Sequence, residues 1–359
     1  MRHLRWAIGF VIGGIALYVA FAGVEWRTVG SALAEANYGL LLAALPLLVT
    51  LLIMRAQRWR LLFFPDTNIG LLSTFGALNI GYLAGLILPL QLGEVVRVYV
   101  LGEMAGVGKL RVLSTIAVER LLDVFVLLAF LGLLIPFVAL PQAALVTAAL
   151  LLGLVLAIGF VVAVAVLDRA RFESWLERLL RYLPARVQGM ARSGSGSLLD
   201  GLSALSHPKI LLSVLFWTVS SWATSAFVIY MMLRAFSLDV PVAAAPFLLV
   251  ATTFGFFVPS LPAAVGVYDA IAIRSLTTVF SVAQEPATSY ALVAHALYMV
   301  PPMILGALFF WWYNLSLRRI GSWSEDQAGA SADPGGLVVA PHAGQASGPT
   351  AIGGPPGPN

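Results

Sequence analysis

Two apolar stretches of this chain, one in each half, are broken in the same manner. The first reads Leu88-Pro89-Leu90-Gln91-Leu92-Gly93-Glu94-Val95-Val96-Arg97. The second reads Val258-Pro259-Ser260-Leu261-Pro262-Ala263-Ala264-Val265-Gly266-Val267-Tyr268-Asp269. In each, proline interrupts an apolar run, glycine follows, and a carboxylate stands where a membrane segment should be uniformly apolar. Lipid offers no partner for the backbone groups that such a break frees, so it survives only where protein or water takes them. Interrupted segments at corresponding places in two halves mark a transporter's binding region. The pattern restricts the fold to a membrane bundle with a midplane site at two broken elements.

Composition fits that reading and closes off others. Hydrophobic residues make up 60% of the chain and charged residues 11%, against roughly 25% charged in a soluble domain. The formal charge of +4 comes from basic residues that sort by loop and form no continuous patch, so nucleic acid is not a partner. With no cysteine, disulfides, thiol nucleophiles and cysteine-based metal sites drop out. His3, His207, His295 and His342 are scattered and none has a partner at metal-ligand spacing. No metal and no cofactor are expected. The pattern Gly-x-x-x-x-Gly-Lys-Ser/Thr is missing too, so transport would run on a gradient rather than on a bound nucleotide.

The apolar runs fall in order. The first, 6–23, follows Arg2, His3 and Arg5, and its Ala20-Phe21-Ala22 has the small-x-small form of a signal cleavage site. An uncleaved first span is the competing reading. Run 39–54 is closed by Arg55, Arg58 and Arg60. Run 71–92 carries Asn79 and Gln91 and breaks at Pro89, with a more mixed continuation over 94–104. Runs 113–140 and 143–167 are long spans. A basic, amphipathic stretch follows over 168–209 and includes the flexible Ser193-Gly194-Ser195-Gly196-Ser197. The second half continues through 210–233, 240–258, 263–280 and 289–314. Residues 321–359 are largely Gly, Pro, Ala and Ser, the composition of a disordered tail.

Basic residues favour the cytoplasmic side, which puts the N-terminus, the 55–60 cluster, the 168–209 loop and Arg318-Arg319 there. Linkers 24–38, 136–142 and 234–240 are poor in Lys and Arg and belong outside. Two crossings return the chain to the cytoplasm by residue 60, and Lys109 and Arg111 also belong there. Segment 71–107 must then enter and leave by one face, as a re-entrant hairpin bending near Pro89 and Gly93. A second hairpin over 241–281, entering from outside, fits the other half, although three full crossings reach the same end point. Two such hairpins facing each other form an inverted repeat.

The charges after the first break need placing. Glu94 and Arg97 lie three apart, and Glu119, Arg120 and Asp123 cluster within one run. At the bilayer centre each costs roughly 2.5–3.5 kcal/mol. Five facing lipid would cost on the order of 15 kcal/mol, more than a typical folding stability. They therefore pair, line a wet cavity or lie at the interface. Glu94 and Arg97 read as functional. For Glu119, Arg120 and Asp123 the competing reading is a cap at the cytoplasmic end of a span, paired with Arg58 or Lys109. His295 and Tyr298 read as structural hydrogen-bonding groups, and Asn79, Tyr82 and Gln91 as helix glue or ligand contacts.

Arg58-Trp59-Arg60-Leu61-Leu62, Leu88-Pro89 with Gly93-Glu94-Val95-Val96-Arg97, and Val118-Glu119-Arg120-Leu121-Leu122-Asp123 resemble the flippase-like membrane region of the lysylphosphatidylglycerol synthase family. Val258-Pro259-Ser260-Leu261-Pro262 with Gly266-Val267 fits the same pattern. The resemblance covers nearly all of 1–320 in order. It implies a membrane part that moves a charged lipid between leaflets, here without the soluble aminoacyl-transfer domain of full-length synthases. Relatives are linked to polyprenyl- or dolichyl-type lipid intermediates. One departure is plain: the family's second break reads Pro-Gly-Gly with a glutamate shortly after, whereas this chain has Pro262-Ala263-Ala264 and then Asp269. Losing the glycines lowers tolerance for positive φ at that bend.

The expected fold is an all-α polytopic transmembrane helix bundle over 1–320, with two re-entrant or broken elements in inverted repeat. The expected function is translocation of a polar-headed lipid, such as an aminoacylated phospholipid or polyprenyl-linked intermediate, across the cell inner membrane, with both termini cytoplasmic. Arg97 and Arg120 are the candidates for gripping a lipid phosphate, since guanidinium binds phosphate bidentately. Glu94, Glu119 and Asp123 would hold those arginines, or take a cationic headgroup or a proton. Arg58, Gln91 and Asp269 complete the substrate set, and Pro89, Gly93, Pro259, Pro262 and Gly266 are the structural breaks. The partners are the lipid and a separately encoded lipid-modifying transferase. An integral-membrane lipid enzyme, or a scaffold docking through 168–209, are the alternative classes.

Overall fold

A computed structural model describes residues 26–66, 68–88, 92–138, 142–181, 202–255 and 262–313, with Tyr18 and Gln188. The expected first span (6–23) apart from Tyr18, the Ser-Gly linker, the tail 321–359, and Pro89, Gln91 and Pro259 lie outside the described residues. All described residues belong to one compact unit, Met1–Asn314.

Every regular element among them is helical. In chain order these are α1 (Trp26–Ala34), α2 (Tyr38–Leu61), α3 (Leu71–Ile87), α4 (Leu92–Ala105), α5 (Lys109–Leu134) and α6 (Gln142–Leu167). Then follow α7 (Arg169–Leu180), α8 (Pro208–Ala235), α9 (Ala244–Gly255), α10 (Val267–Arg274) and α11 (Gln284–Trp312). A short 3-10 turn, Pro262–Ala264, precedes α10, and a π turn, Ser275–Val279, follows it. Helices α2, α8, α11 and the 149–167 part of α6 are long and apolar enough to cross a membrane. Helix α5, with 26 residues, is about 39 Å long at 1.5 Å per residue.

The two shorter apolar helices are the ones that run into the breaks. Helix α3 has 17 residues and α9 has 12, about 25 and 18 Å, short of a hydrocarbon core of about 30 Å. Each is followed by an element that packs back on it, α4 on α3 and α10 on α9. The antiparallel α3–α4 contact is backbone to backbone. A Cβ on Gly93 would overlap the carbonyl oxygen of Gly81 and lie 2.8 Å from the amide nitrogen of Gly85. Gly93 therefore serves close approach in the first turn of α4, not a left-handed bend. On its other side α3 meets Gly306 of α11, where a Cβ would sit 2.5 Å from the Asn79 carbonyl oxygen. Small residues at both contacts let helices pack where the hydrophobic effect gives no net pull.

The segments flanking each pair of short helices meet. Arg111, just inside α5, donates to the Phe63 carbonyl at 2.8 Å and pairs with Asp66 at 3.6 Å. Residues flanking segment 71–107 are thus in contact. In the second half Phe247 of α9 meets Phe280, past the π turn, with ring centroids 5.5 Å apart. The Pro262–Ala264 turn of the second break packs against α3, the first broken helix.

The main core lies where α2 and α8 pack along each other, joined by α9, α10 and α11. Asn37 caps α2 by accepting the Leu40 N–H at 3.2 Å, and its own N–H donates to the Ala235 carbonyl at 2.8 Å. That bond pins the start of α2 to the end of α8. Helix α6 stands at the rim with Leu150, Leu156 and Phe160 outward. Linker 24–38, read as a loop, contains α1. Its apolar positions are too few for a hydropathy signal, yet Val29 buries against α11. Helix α11 likewise starts at Gln284, five positions before the apolar run, because its first turn Gln284-Glu285-Pro286 is polar.

Candidate functional site

The charges expected to avoid lipid form a closed ring of six. Arg58 from α2 pairs with Glu119 of α5 at 2.5 Å, and Glu119 pairs with Arg97 of α4 at 2.5 Å. Arg97 reaches Glu94, three residues earlier on its own helix, at 3.5 Å. Glu94 pairs with Arg120, Arg120 reaches Asp123 at 3.6 Å, and Asp123 closes the ring onto Arg58. Asp123 takes a second bond from Arg58 at 3.2 Å, making that contact bidentate. Three arginines and three carboxylates alternate, so the ring is neutral. Each carboxylate touches two arginines.

The backbone explains the register. Glu119 and Asp123 share a face of α5 at i,i+4, while Arg120 lies i,i+3 from Asp123. Gly81 lets α4 sit close enough that Arg97 enters the core, since a Cβ there would lie 2.9 Å from the Arg97 Cβ. Glu119 lies ten residues into α5 from Lys109, about 15 Å along the axis. Of the two expected cationic partners, Arg58 is in the ring, while Lys109 lies over the Tyr99 ring at 4.0 Å.

Burial divides the ring. Arg58, Arg97 and Glu119 side chains are 1% exposed and Asp123 8%. Glu94 is 31% and Arg120 43% exposed. The inner part is walled by aromatics. The Arg97 guanidinium stands 3.7 Å over the Trp59 ring, and Trp59 Nε1 donates to Thr115 Oγ1 at 3.0 Å. Trp222 Nε1, from α8, donates to Asp123 Oδ1 at 2.8 Å, with Arg55 5.4 Å over its ring. Stacking a guanidinium on indole replaces water with a polarisable face. Removing one partner from such a buried network leaves an uncompensated charge, costing about 3–5 kcal/mol.

Asp269 does not join the ring. It sits in the first turn of α10, where Oδ2 accepts the Gly266 N–H at 3.0 Å and Oδ1 lies 3.1 Å from Nδ1 of His295. Nε2 of His295 lies 3.0 Å from the Ala263 carbonyl oxygen, and Tyr268 stacks on the imidazole at 4.3 Å. Positive φ persists at this bend despite the missing glycines: Ala263 has φ 60°, Ala264 56° and Gly266 85°. Two left-handed alanines cost about 1–2 kcal/mol each. Asn79 is buried and its amide returns to the Phe75 carbonyl, while Tyr82 accepts from Arg55 at 3.3 Å.

Sequence reasoning missed Trp59, Trp222 and Arg55. Trp59 was visible beside Arg58 as the centre of an Arg-Trp-Arg run. Trp222 is 99 residues from Asp123 and carries no local signal.

A family model described as the lysylphosphatidylglycerol synthase TM region matches residues 6–306. No curated protein and no solved structure matched the chain. The matched region takes in every described membrane-length helix up to Gly306, the charge ring, the second break and the Asp269–His295 pair. This is therefore a membrane protein that belongs to the lysylphosphatidylglycerol synthase transmembrane-region family, a membrane domain associated with lipid.

Proposed function

We propose that the protein moves a polar-headed lipid between the leaflets of the cytoplasmic membrane, with both termini on the cytoplasmic side. The observation that carries this reading is the half-open edge of the charge ring. Glu94 and Arg120 stand at the surface of an otherwise buried network, directly after the first break. Ile87, Leu92 and Val95, the apolar neighbours of that edge in sequence, are also exposed. Charge for a headgroup and apolar surface for acyl chains thus lie side by side.

The chemistry is an exchange of partners. A lipid phosphate takes Arg120 from Glu94, since guanidinium matches phosphate as well as carboxylate. Glu94 keeps Arg97 and has an oxygen to spare for a cationic group on the same headgroup. A head carrying both phosphate and ammonium therefore leaves no charge unpaired. Arg97 and Arg58 act from behind, holding Glu119 and Asp123 so that the edge is preorganised. The paired hairpins, each too short to cross and each closing on its own entry, support an inverted arrangement in which the site is reached from either side.

The test is reconstitution into vesicles of phosphatidylethanolamine and phosphatidylglycerol with trace lysylphosphatidylglycerol, followed by amine labelling from outside. Protein-dependent exposure of the inner-leaflet lipid, with its chemical structure unchanged by mass spectrometry, is expected. A chemically altered lipid would favour an enzyme instead. Orientation has its own test in this Cys-free chain. Asn68→Cys and Lys109→Cys, both exposed, should label only from the cytoplasm, and labelling of Lys109→Cys from outside would break the re-entrant reading.

A further inference from the structure

His295 stands between two acceptors. A neutral imidazole carries one N–H and one bare nitrogen, yet Nδ1 faces the Asp269 carboxyl at 3.1 Å and Nε2 faces the Ala263 carbonyl at 3.0 Å. The Gly266 N–H holds the other oxygen of Asp269, so the carboxyl is not free to turn away. Asp269 is 3% and His295 6% exposed, which leaves little water to separate a bare nitrogen from an oxygen. Both contacts are favourable together only when the pair holds one proton more than a neutral imidazole beside a carboxylate. That proton resides on His295, making an imidazolium, or on Asp269, making an acid that donates to Nδ1.

We propose that Asp269 and His295 form a buried proton-binding site that clasps the second break, and that this proton is the coupling ion for lipid movement. The second clause rests on the translocation reading above, and the first does not. When the proton leaves, one nitrogen turns a lone pair on an oxygen. The Ala263 contact yields, because the bond from imidazole N–H to a carboxylate is charge-assisted and the stronger of the two. Ala263 and Ala264, held at left-handed φ, then lose the bond that offsets their strain. Their turn packs on α3, and α3 packs on α4, which carries Glu94 and Arg97. One helix therefore separates the proton site from the charge ring.

Among the described residues, the surroundings contain no competing source for that proton. Tyr268 stacks on the imidazole and interacts with Tyr290 and Tyr298 of α11. Phenols with a reference value near 10 stay neutral through the physiological range. Helix α9 brings no titratable residue. Helix α3 brings Tyr82, bonded to Arg55 of α2, and Arg55 also approaches Tyr298. Arg58 is held in the ring, Tyr230 of α8 is half-buried in the core, and Arg27, Lys209, Arg234 and Arg274 are exposed.

The test uses the full chain in lipid nanodiscs. Changing His3, His207 and His342 to Gln leaves His295 as the single imidazole, whose two nitrogens are then read by nitrogen-15 NMR. Near neutral pH both should be hydrogen-bonded, and a free, unbonded nitrogen signal would overturn the site. Thermal unfolding gives a second reading. The clasp as seen needs one proton more than a neutral imidazole beside a carboxylate, so the stability it lends should vary with pH. In Asp269→Asn the amide donates to Nδ1 while its oxygen keeps the Gly266 N–H, so the clasp needs no extra proton and the pH profile should flatten. Identical profiles in wild type and Asp269→Asn would sink the proposal.

Coupling is read in vesicles containing fluorescent phosphatidylglycerol. An imposed gradient of one pH unit should bias movement by up to about tenfold in wild type and not in Asp269→Asn. Movement indifferent to the gradient in both would overturn the coupling and leave the proton site standing. A proton site with no lipid movement under any condition would instead overturn the translocation reading and the coupling with it.

Discussion

The two breaks solve one problem, an interrupted helix in an apolar bundle, with opposite means. At the first, the chain turns back through glycine contacts, and Gly93 lies against Gly81 and Gly85. Six charges then neutralise one another across three helices. At the second, alanines bear the left-handed backbone and a single Asp–His pair holds it. The first break is rigid because every buried charge there has two partners. The second is conditional, because its clasp depends on a proton. A protein that must hold a charged headgroup and also change shape has reason to keep these two properties on separate elements.

Glu119 offers the severest way to break this contrast. It alone bridges the two most buried arginines, Arg58 and Arg97. Glu119→Ala should leave both guanidinia short of a partner and cost at least about 3–5 kcal/mol, seen as loss of monodisperse protein in detergent. His295→Ala removes the clasp but leaves Asp269 the Gly266 N–H, so it should cost less and leave a folded bundle. If Glu119→Ala is tolerated and His295→Ala is not, the assignment of rigid and conditional breaks is reversed.

The glycine contrast predicts opposite signs. Gly93→Ala drives a methyl into the α3 backbone, where nothing flexible can give way. Overpacking of this kind costs about 1–3 kcal/mol, and the melting temperature should fall. Ala263→Gly relieves about 1–2 kcal/mol of left-handed strain but adds roughly 0.4–1 kcal/mol of unfolded-state entropy. A small rise, within about 1 kcal/mol, is expected. A fall for Ala263→Gly would mean that the alanine methyl contributes packing that outweighs the strain.

These sites were unequally legible in the sequence. The first break announced itself because Pro89, Gly93, Glu94 and Arg97 sit close together, and the cost of charge in lipid demanded that Glu119, Arg120 and Asp123 find partners. The ring itself was not legible. Its closure needs Arg58 of α2 to meet Glu119 and Asp123 of α5, 61 and 65 residues later in the chain, and no local pattern encodes that meeting. At the second break the missing glycines lower the tolerance for positive φ, yet the structure keeps it there. The reason is tertiary: the His295–Ala263 bond outweighs the local preference, and a lone histidine in an apolar run gives no hint of its partner. Helix α1 and the first turn of α11 escaped notice because they are polar enough to look like loops.

The mildest predicted effect on stability is the most informative about function. Arg120 and Glu94 form the half-buried edge of the ring, 43% and 31% accessible, and pairs open to water contribute about 0–1 kcal/mol. Arg120→Gln should therefore shift the melting temperature little, since Asp123 still has both nitrogens of Arg58 and Glu94 still has Arg97. Lipid movement should nevertheless collapse, because phosphate loses its accessible guanidinium. Arg120→Lys should restore it only in part, as an ammonium keeps the charge but not the planar fork. Measuring both quantities on the same preparations separates the roles. A large fall in stability with Arg120→Gln would make this edge as structural as the inner ring. Unchanged lipid movement would move the headgroup site elsewhere, leaving the ring as a buried keystone of the fold.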